Sequence, residues 1–208
     1  MEPKEIIDIS MPLREGMPTY PGTIALTIET KKSATTGSQM SEISIGSHAG
    51  THIDAPLHAF PNGASIDSIP LLSFIGVCRV VDCTASVGSV SKTDLEAKDI
   101  QEGERILIKT SNSIRGFSEF YPDFVFVSSE ASQYLAEKGV VLVGIDSLSI
   151  KQKGSPDNTP HTHLLEKQIP ILEGIDLSKA EEGEYTLIAF PLAYIGIDGA
   201  PARAVLLR

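Results

Sequence analysis

Nine short runs rich in isoleucine and valine, each bounded by glycine, proline, asparagine or aspartate, set the tightest limit on how this chain can fold. They are Glu5–Ser10, Ile24–Thr30, Met40–Ser47, Ile75–Thr84, Arg105–Thr110, Phe124–Val127, Val140–Ile145, Tyr185–Pro191 and Ala202–Leu207. Branched apolar residues between turn formers read as β-strands. Helix signals are fewer. Ser129–Lys138 opens on serine, carries Glu130 in its first turn and stops at Gly139, which is how a helix starts and ends. Thr93–Ile100 and Thr159–Gln168 predict two short helices. Many strands with a few interposed helices imply a mixed α/β domain on a mostly β core. No repeat, low-complexity tract or flexible linker divides the 208 residues, so one domain spanning 1–208 is expected. A chain of this length buries roughly 70% of its unfolded surface and needs no disulfide or metal to fold.

Charge narrows the partners. Lys+Arg 17 against Asp+Glu 27 leaves a net charge of −10, which excludes the basic stripe of a nucleic-acid binder and disfavours an anionic membrane surface. No window holds the ~20 apolar residues of a bilayer span. The start, Met1-Glu2-Pro3-Lys4-Glu5, is charged and lacks the apolar stretch of a secretory signal. A cytoplasmic location is the expectation. Cys78 and Cys83 stand an odd number of residues apart, on opposite faces of their strand, and read as reduced structural thiols.

The chemistry is concentrated in the histidines. All five fall in two windows, Ser47-His48-Ala49-Gly50-Thr51-His52-Ile53-Asp54-Ala55-Pro56-Leu57-His58 and Thr159-Pro160-His161-Thr162-His163. In a straight strand, His48 and His52 would stand about 13 Å apart, too far to share an ion. Gly50 and Pro56 disfavour a helix. A bent loop at the end of strand Met40–Ser47 is therefore the expected setting. His52 and Asp54 share a face if extended. Two imidazoles and a carboxylate form a set suited to Zn²⁺, Mn²⁺ or Fe²⁺ with open positions for water and substrate. His58, beyond Pro56, is a candidate ligand, loop residue or general acid/base.

In the second window Thr159 is a candidate N-cap with Pro160 in the first turn. His161 shares an inward face with Leu164 and Leu165, while His163 turns toward Glu166 and Lys167 on the solvent side. Glu173, alone in the apolar run Ile169–Gly174, needs a partner: a metal, or an arginine such as Arg203. Asp146 has a weaker claim of the same kind, as a supporting group or turn residue.

The pattern His48-x-Gly50-Thr51-His52-x-Asp54-x-Pro56-x-His58, with Ile7-Asp8-Ile9-Ser10-x-Pro12-Leu13, Gly144-Ile145-Asp146, the pair His161 and Glu173, and Asp198-Gly199-Ala200-Pro201-Ala202-Arg203, resembles the cyclase family of metal-dependent hydrolases over nearly the whole chain. The resemblance implies an α/β single domain of the swivelling β/β/α type, with a barrel-like mixed β core, peripheral helices, and assembly as a homodimer or homotetramer. It implies His48, His52 and Asp54 as metal ligands, with His161 and Glu173 completing a two-ion site, and His58 as the catalytic histidine. Zinc is the first expectation for the ion and manganese the alternative. Formamide-cleaving members carry Trp-Pro-Gly-Asp where this chain has Tyr20-Pro21-Gly22-Thr23, which makes Tyr20 the candidate substrate-binding aromatic. The expected reaction is hydrolysis of a small amide, first an N-formyl arylamine, through a metal-bound hydroxide with His58 as general acid/base. The alternatives are opening of a cyclic amide or lactone, as in isatin hydrolase, and a non-catalytic metal-binding protein.

Overall fold

Alternation within the isoleucine- and valine-rich runs sorts their side chains onto two faces of one sheet. In a computed structural model that describes residues 3–208, the strands are β1 (Ile6–Asp8), β2 (Thr27–Lys32), β3 (Gln39–Ser44), β4 (His52–Asp54), β5 (Ile75–Asp82), β6 (Ser89–Val90), β7 (Arg105–Lys109), β8 (Phe126–Val127), β9 (Leu142–Ile145), β10 (Ile171–Glu173), β11 (Gly183–Pro191) and β12 (Gly199–Leu207). The helices are α1 (Lys92–Glu96), α2 (Ser111–Arg115), α3 (Ser129–Lys138) and α4 (Thr159–Glu166). Met1 and Glu2, which head the charged start, lie outside the described residues.

Strands β5, β7, β9 and β10 run parallel, and their connections carry the helices. The return strands β11 and β12 are antiparallel. One edge of β12 pairs with β11; the other is shared between β1 at Val205–Leu207 and β4 at Gly199–Pro201. Because β4 also pairs with β10, the seven strands β12-β11-β5-β7-β9-β10-β4 close on themselves. The result is the expected mixed α/β barrel-like core with peripheral helices.

Two cores follow from the pleat. On β7, Leu107 joins the cluster inside the barrel with Ile53, Phe74, Leu172, Leu187 and Leu206. Its neighbours Ile106 and Ile108 join the outer cluster under the helices, with Leu135, Val143, Leu164 and Ile171. Cys78 lies in the inner cluster and Cys83 in the outer one, both as buried free thiols. Each fully buried leucine or isoleucine here stabilises the fold by about 2–5 kcal/mol relative to alanine.

Three expectations are corrected. The strand expected over Met40–Ser47 forms as β3 but ends at Ser44. Among the described residues β3 pairs with β2 alone, in a separate ribbon, and every position of both strands is exposed. The two apolar residues of β3, Met40 and Ile43, fall on opposite faces among serine, glutamine and glutamate, so neither face carries a continuous apolar stripe for the barrel core. The loop expected around His52 instead contains a strand, β4, whose three residues are held by partners on both edges. Helix α1 begins behind a Ser91–Asp94 capping box and ends at Glu96, short of the expected Ile100.

Candidate metal centre

Strand β4 is the hub of the site. Ile53 points into the barrel, so His52 and Asp54 point outward. The β4–β10 register sets His52 directly opposite Glu173, and side chains so paired share a face. On the other edge Asp54 faces Gly199. The chain reaches β4 through a bend at Gly50, whose φ is 63°. Thr51 pins that bend: its hydroxyl donates to the Gly174 carbonyl at 2.6 Å and accepts from the Met11 amide at 2.8 Å. Helix α4 then lays His161 over the pair from its first turn, although the N-cap is Asn158 rather than Thr159.

The donor atoms converge. His52 Nε2 lies 3.4 Å from both Asp54 Oδ1 and Glu173 Oε2. His161 Nε2 lies 3.4 Å from Glu173 Oε1 and 3.6 Å from Asp54 Oδ2. His52, Asp54, His161 and Glu173 are each at most 4% exposed. The ring of His52 is oriented from behind: its Nδ1 donates to the Gly50 carbonyl at 2.9 Å, so Nε2 faces the carboxylates and would offer its lone pair once a cation displaced the proton there. Glu173 Oε1 also accepts from the Ile150 amide at 2.6 Å.

Electrostatics follow from burial and pairing. Burial alone would push the His52 imidazole down, but the Asp54 and Glu173 carboxylates raise it to about 10. His48 is likewise lifted against its burial by Asp54. Burial would raise Asp54 too, yet His48 and His52 hold it well below the usual carboxylate range. The acids keep their negative charge in a dry setting, and positive charge is favoured between them.

These residues fit a divalent cation. Within the cluster, His52 Nε2 and Asp54 Oδ2 are buried with no hydrogen-bond partner among the described residues, a costly state for polar atoms that otherwise find partners. Spacings of 3.4–3.6 Å between donors are long for hydrogen bonds, but ligand atoms about 2.1 Å from a tetrahedral ion stand about 3.4 Å from one another. His, Asp and Glu together suit zinc or manganese.

The other candidates sit around this cluster. His48 places Nδ1 2.7 Å from Asp54 Oδ1 and Nε2 2.8 Å from Asp198 Oδ2. His58, at the end of the 3₁₀ turn Pro56–His58, packs at a tilt of 49° against His48 with ring centroids 4.2 Å apart, and its ring lies 5.3 Å from that of His161. Burial pushes its imidazole below the ordinary value. A cleft of about 220 Å³ opens onto His48, His58, His161 and Glu173, and Tyr20, Thr23, Lys151 and Asn158 help line it. Tyr20 is set edge-on against Phe120, centroids 5.7 Å apart.

Three residues stand elsewhere. His163 is not on the solvent side: it is half-buried against α3, its Nδ1 3.0 Å from the Ser132 hydroxyl. Asp146 serves the backbone, accepting from the amides of Thr110 and Ser113 and from the Thr110 hydroxyl at 2.7–3.0 Å. Arg203, the alternative partner for Glu173, pairs with Asp8. The residue that sequence reasoning missed is Asp198. Its only signal is its place at the head of the Asp-Gly-Ala-Pro run; as one acid among many, 150 positions from His48, it carries no spacing cue.

A family model described as a putative cyclase matches residues 7–152. The chain is 37% identical over 206 residues to a kynurenine formamidase of Salinibacter ruber, covering 97% of this chain and 96% of that one. It is 32% identical to a kynurenine formamidase of Bacillus cytotoxicus, with 99% of each chain covered. A solved structure described as a potential metal-dependent hydrolase with cyclase activity superposes with a TM-score of 0.88 at 37% identity, covering 98% and 97% of the two chains. Isatin hydrolase A from Labrenzia aggregata shares the fold, with a TM-score of 0.82 at 22% identity over 98% of this chain and 93% of that one.

Proposed function

The chain belongs to the cyclase family, and on that premise we propose that it is a metal-dependent hydrolase that cleaves the formamide bond of N-formyl arylamines. One observation carries the reading: the imidazoles of His52 and His161 and the carboxylates of Asp54 and Glu173 meet in a dry cluster at the floor of a cleft that also holds His58 and Tyr20. The relatives that bear the name kynurenine formamidase support the choice of substrate.

His48, His52, Asp54, His161 and Glu173 would hold one ion or two. Zinc is the first candidate and manganese the second, since the same donors accept both. A divalent ion there would supply the Lewis acid that makes water nucleophilic near neutral pH.

The chain's own residues do the rest. Tyr20, braced by Phe120, offers a ring edge for the aryl group and keeps water from that side of the cleft. His58 sits beside the cluster yet opens to the cleft, its side chain 31% exposed. In this reading it would accept the proton released as water attacks the formyl carbon and hand that proton to the departing amine nitrogen. Bond cleavage leaves formate and the free arylamine.

The test joins metal analysis of the purified protein to hydrolysis of N-formyl arylamines with and without chelator. Bound divalent metal with chelator-sensitive formate release supports the reading. Turnover of cyclic amides or lactones with none of the linear formanilides would overturn the substrate; bound metal without turnover of either would overturn the enzyme.

A further inference from the structure

We propose that Asp198 is a positioning residue that turns the Nδ1 atom of His48 toward the metal cluster, so that the two histidines of the first window face the ion through different ring nitrogens. The inference rests on the metal-centre reading above but not on the choice of substrate.

The geometry is specific. Asp198 Oδ2 stands 2.8 Å from His48 Nε2, on the side of the ring away from Asp54, and His48 Nδ1 stands 2.7 Å from Asp54 Oδ1. Carboxylates only accept, and both His48 nitrogens meet one; were an ion to take the place of the proton between Nδ1 and Asp54, Asp198 would remain as the acceptor that holds the N–H on Nε2. At His52 the assignment is reversed: the Gly50 carbonyl takes Nδ1–H, and Nε2 faces inward. Two rings four residues apart are thus held from behind by different acceptors, one main-chain carbonyl and one side-chain carboxylate.

The backbone next to Asp198 is shaped to the same ring. A Cβ on Gly199 would stand 3.0 Å from His48 Cε1 and 2.7 Å from the Ile53 carbonyl oxygen. Only a residue without a side chain lets the head of β12 lie alongside β4 with His48 between Asp54 and Asp198. The same Asp198 oxygen is 3.7 Å from His58 Nδ1, beyond hydrogen-bond range, so its direct partner is His48. Carboxylates behind ligating histidines typically contribute 10–100-fold to metal affinity.

The experiment measures zinc affinity by competition with a chromogenic chelator, together with the visible spectrum of the cobalt-substituted protein, for Asp198→Ala, Asp198→Asn and Asp198→Glu. Neither readout involves a substrate, so failure of the formamidase assignment would not touch it. The Asp198 side chain is 40% exposed, so the metal-free variants should melt with the wild type. Asp198→Ala should bind zinc 10–100-fold more weakly with an altered cobalt spectrum. Asp198→Asn should fall between, and Asp198→Glu should recover part of the affinity. Wild-type zinc affinity in both Asp198→Ala and Asp198→Asn would overturn the proposal.

Discussion

The backbones of Gly50 and Gly174 meet so closely that a methyl group on Gly174 would stand 2.4 Å from the Gly50 carbonyl oxygen. Gly174 also has a φ of 67°, where a Cβ is strained. This contact seats the bend of the first histidine window on the end of β10, one residue from Glu173. Gly174→Ala should therefore destabilise the protein by about 3 kcal/mol, from left-handed strain plus overpacking, and should weaken metal binding as well. Urea unfolding and metal content of the refolded variant measure the two effects; wild-type values for both would mean that the contact relaxes without consequence.

His58 is the cleft residue whose removal should separate binding from chemistry. His58→Ala should keep its metal and its melting temperature while kcat falls about 10²–10⁴-fold, the usual contribution of a general acid/base. Full turnover with full metal content would remove His58 from the reaction.

What could be read from the sequence divides along physical lines. Strands β5, β7, β9, β11 and β12 are legible because burial selects isoleucine, valine and leucine over several residues. Strands β4 and β10 are three residues long and carry His52, Asp54 and Glu173, so β4 hides inside what looks like a polar loop and β10 inside an apolar run. The closure of the barrel depends on those two strands and was equally hidden. In the site, the clustering of histidines marks two segments that the fold does bring together, with His163 set apart because the α3 surface lies under it. Asp198 could not be singled out, since its role depends on β12 passing beside β4.

The thiols should be silent. Burial pushes both Cys78 and Cys83 up to about 12 from an ordinary 9.0. Neither should react with a thiol reagent at pH 8 unless the protein is unfolded. A raised folded-state value keeps the proton on the native thiol, so its stabilising effect is complete below pH 9.0 and is lost as pH rises toward 12. Denaturant midpoints measured from pH 8 to 11 should decline more steeply for the wild type than for a Cys78→Ala, Cys83→Ala protein; parallel curves would refute the assignment.

The ribbon of β2 and β3 shows apolar side chains to solvent: Ile28 and Ile43 face each other across it and are 37% and 60% exposed. A two-stranded ribbon is marginal alone, and a second copy of this chain is the expected cover. Light scattering should report a dimer or larger for the wild type and a monomer for Ile28→Lys with Ile43→Lys. A wild-type monomer at micromolar concentration would end this expectation.

Removal of metal bears most directly on the site. Asp54 and Glu173 lie buried beside His52 and His161, and burying so many titratable groups is costly unless each charge is compensated. An ion that binds only the folded state adds RT ln(1 + [L]/Kd), about 3–4 kcal/mol at a hundred to a thousand times Kd. Chelation should therefore lower the melting temperature by several degrees, and adding back zinc or manganese should restore it. The stabilisation belongs to the ligand set, so His52→Ala should melt at one temperature with or without chelator. Because His161 arrives from a helix and His52 from β4, His161→Ala should abolish most of the same shift even though the two residues lie more than a hundred positions apart in the chain. A chelator-dependent shift that survives both substitutions would locate the ion elsewhere in the protein.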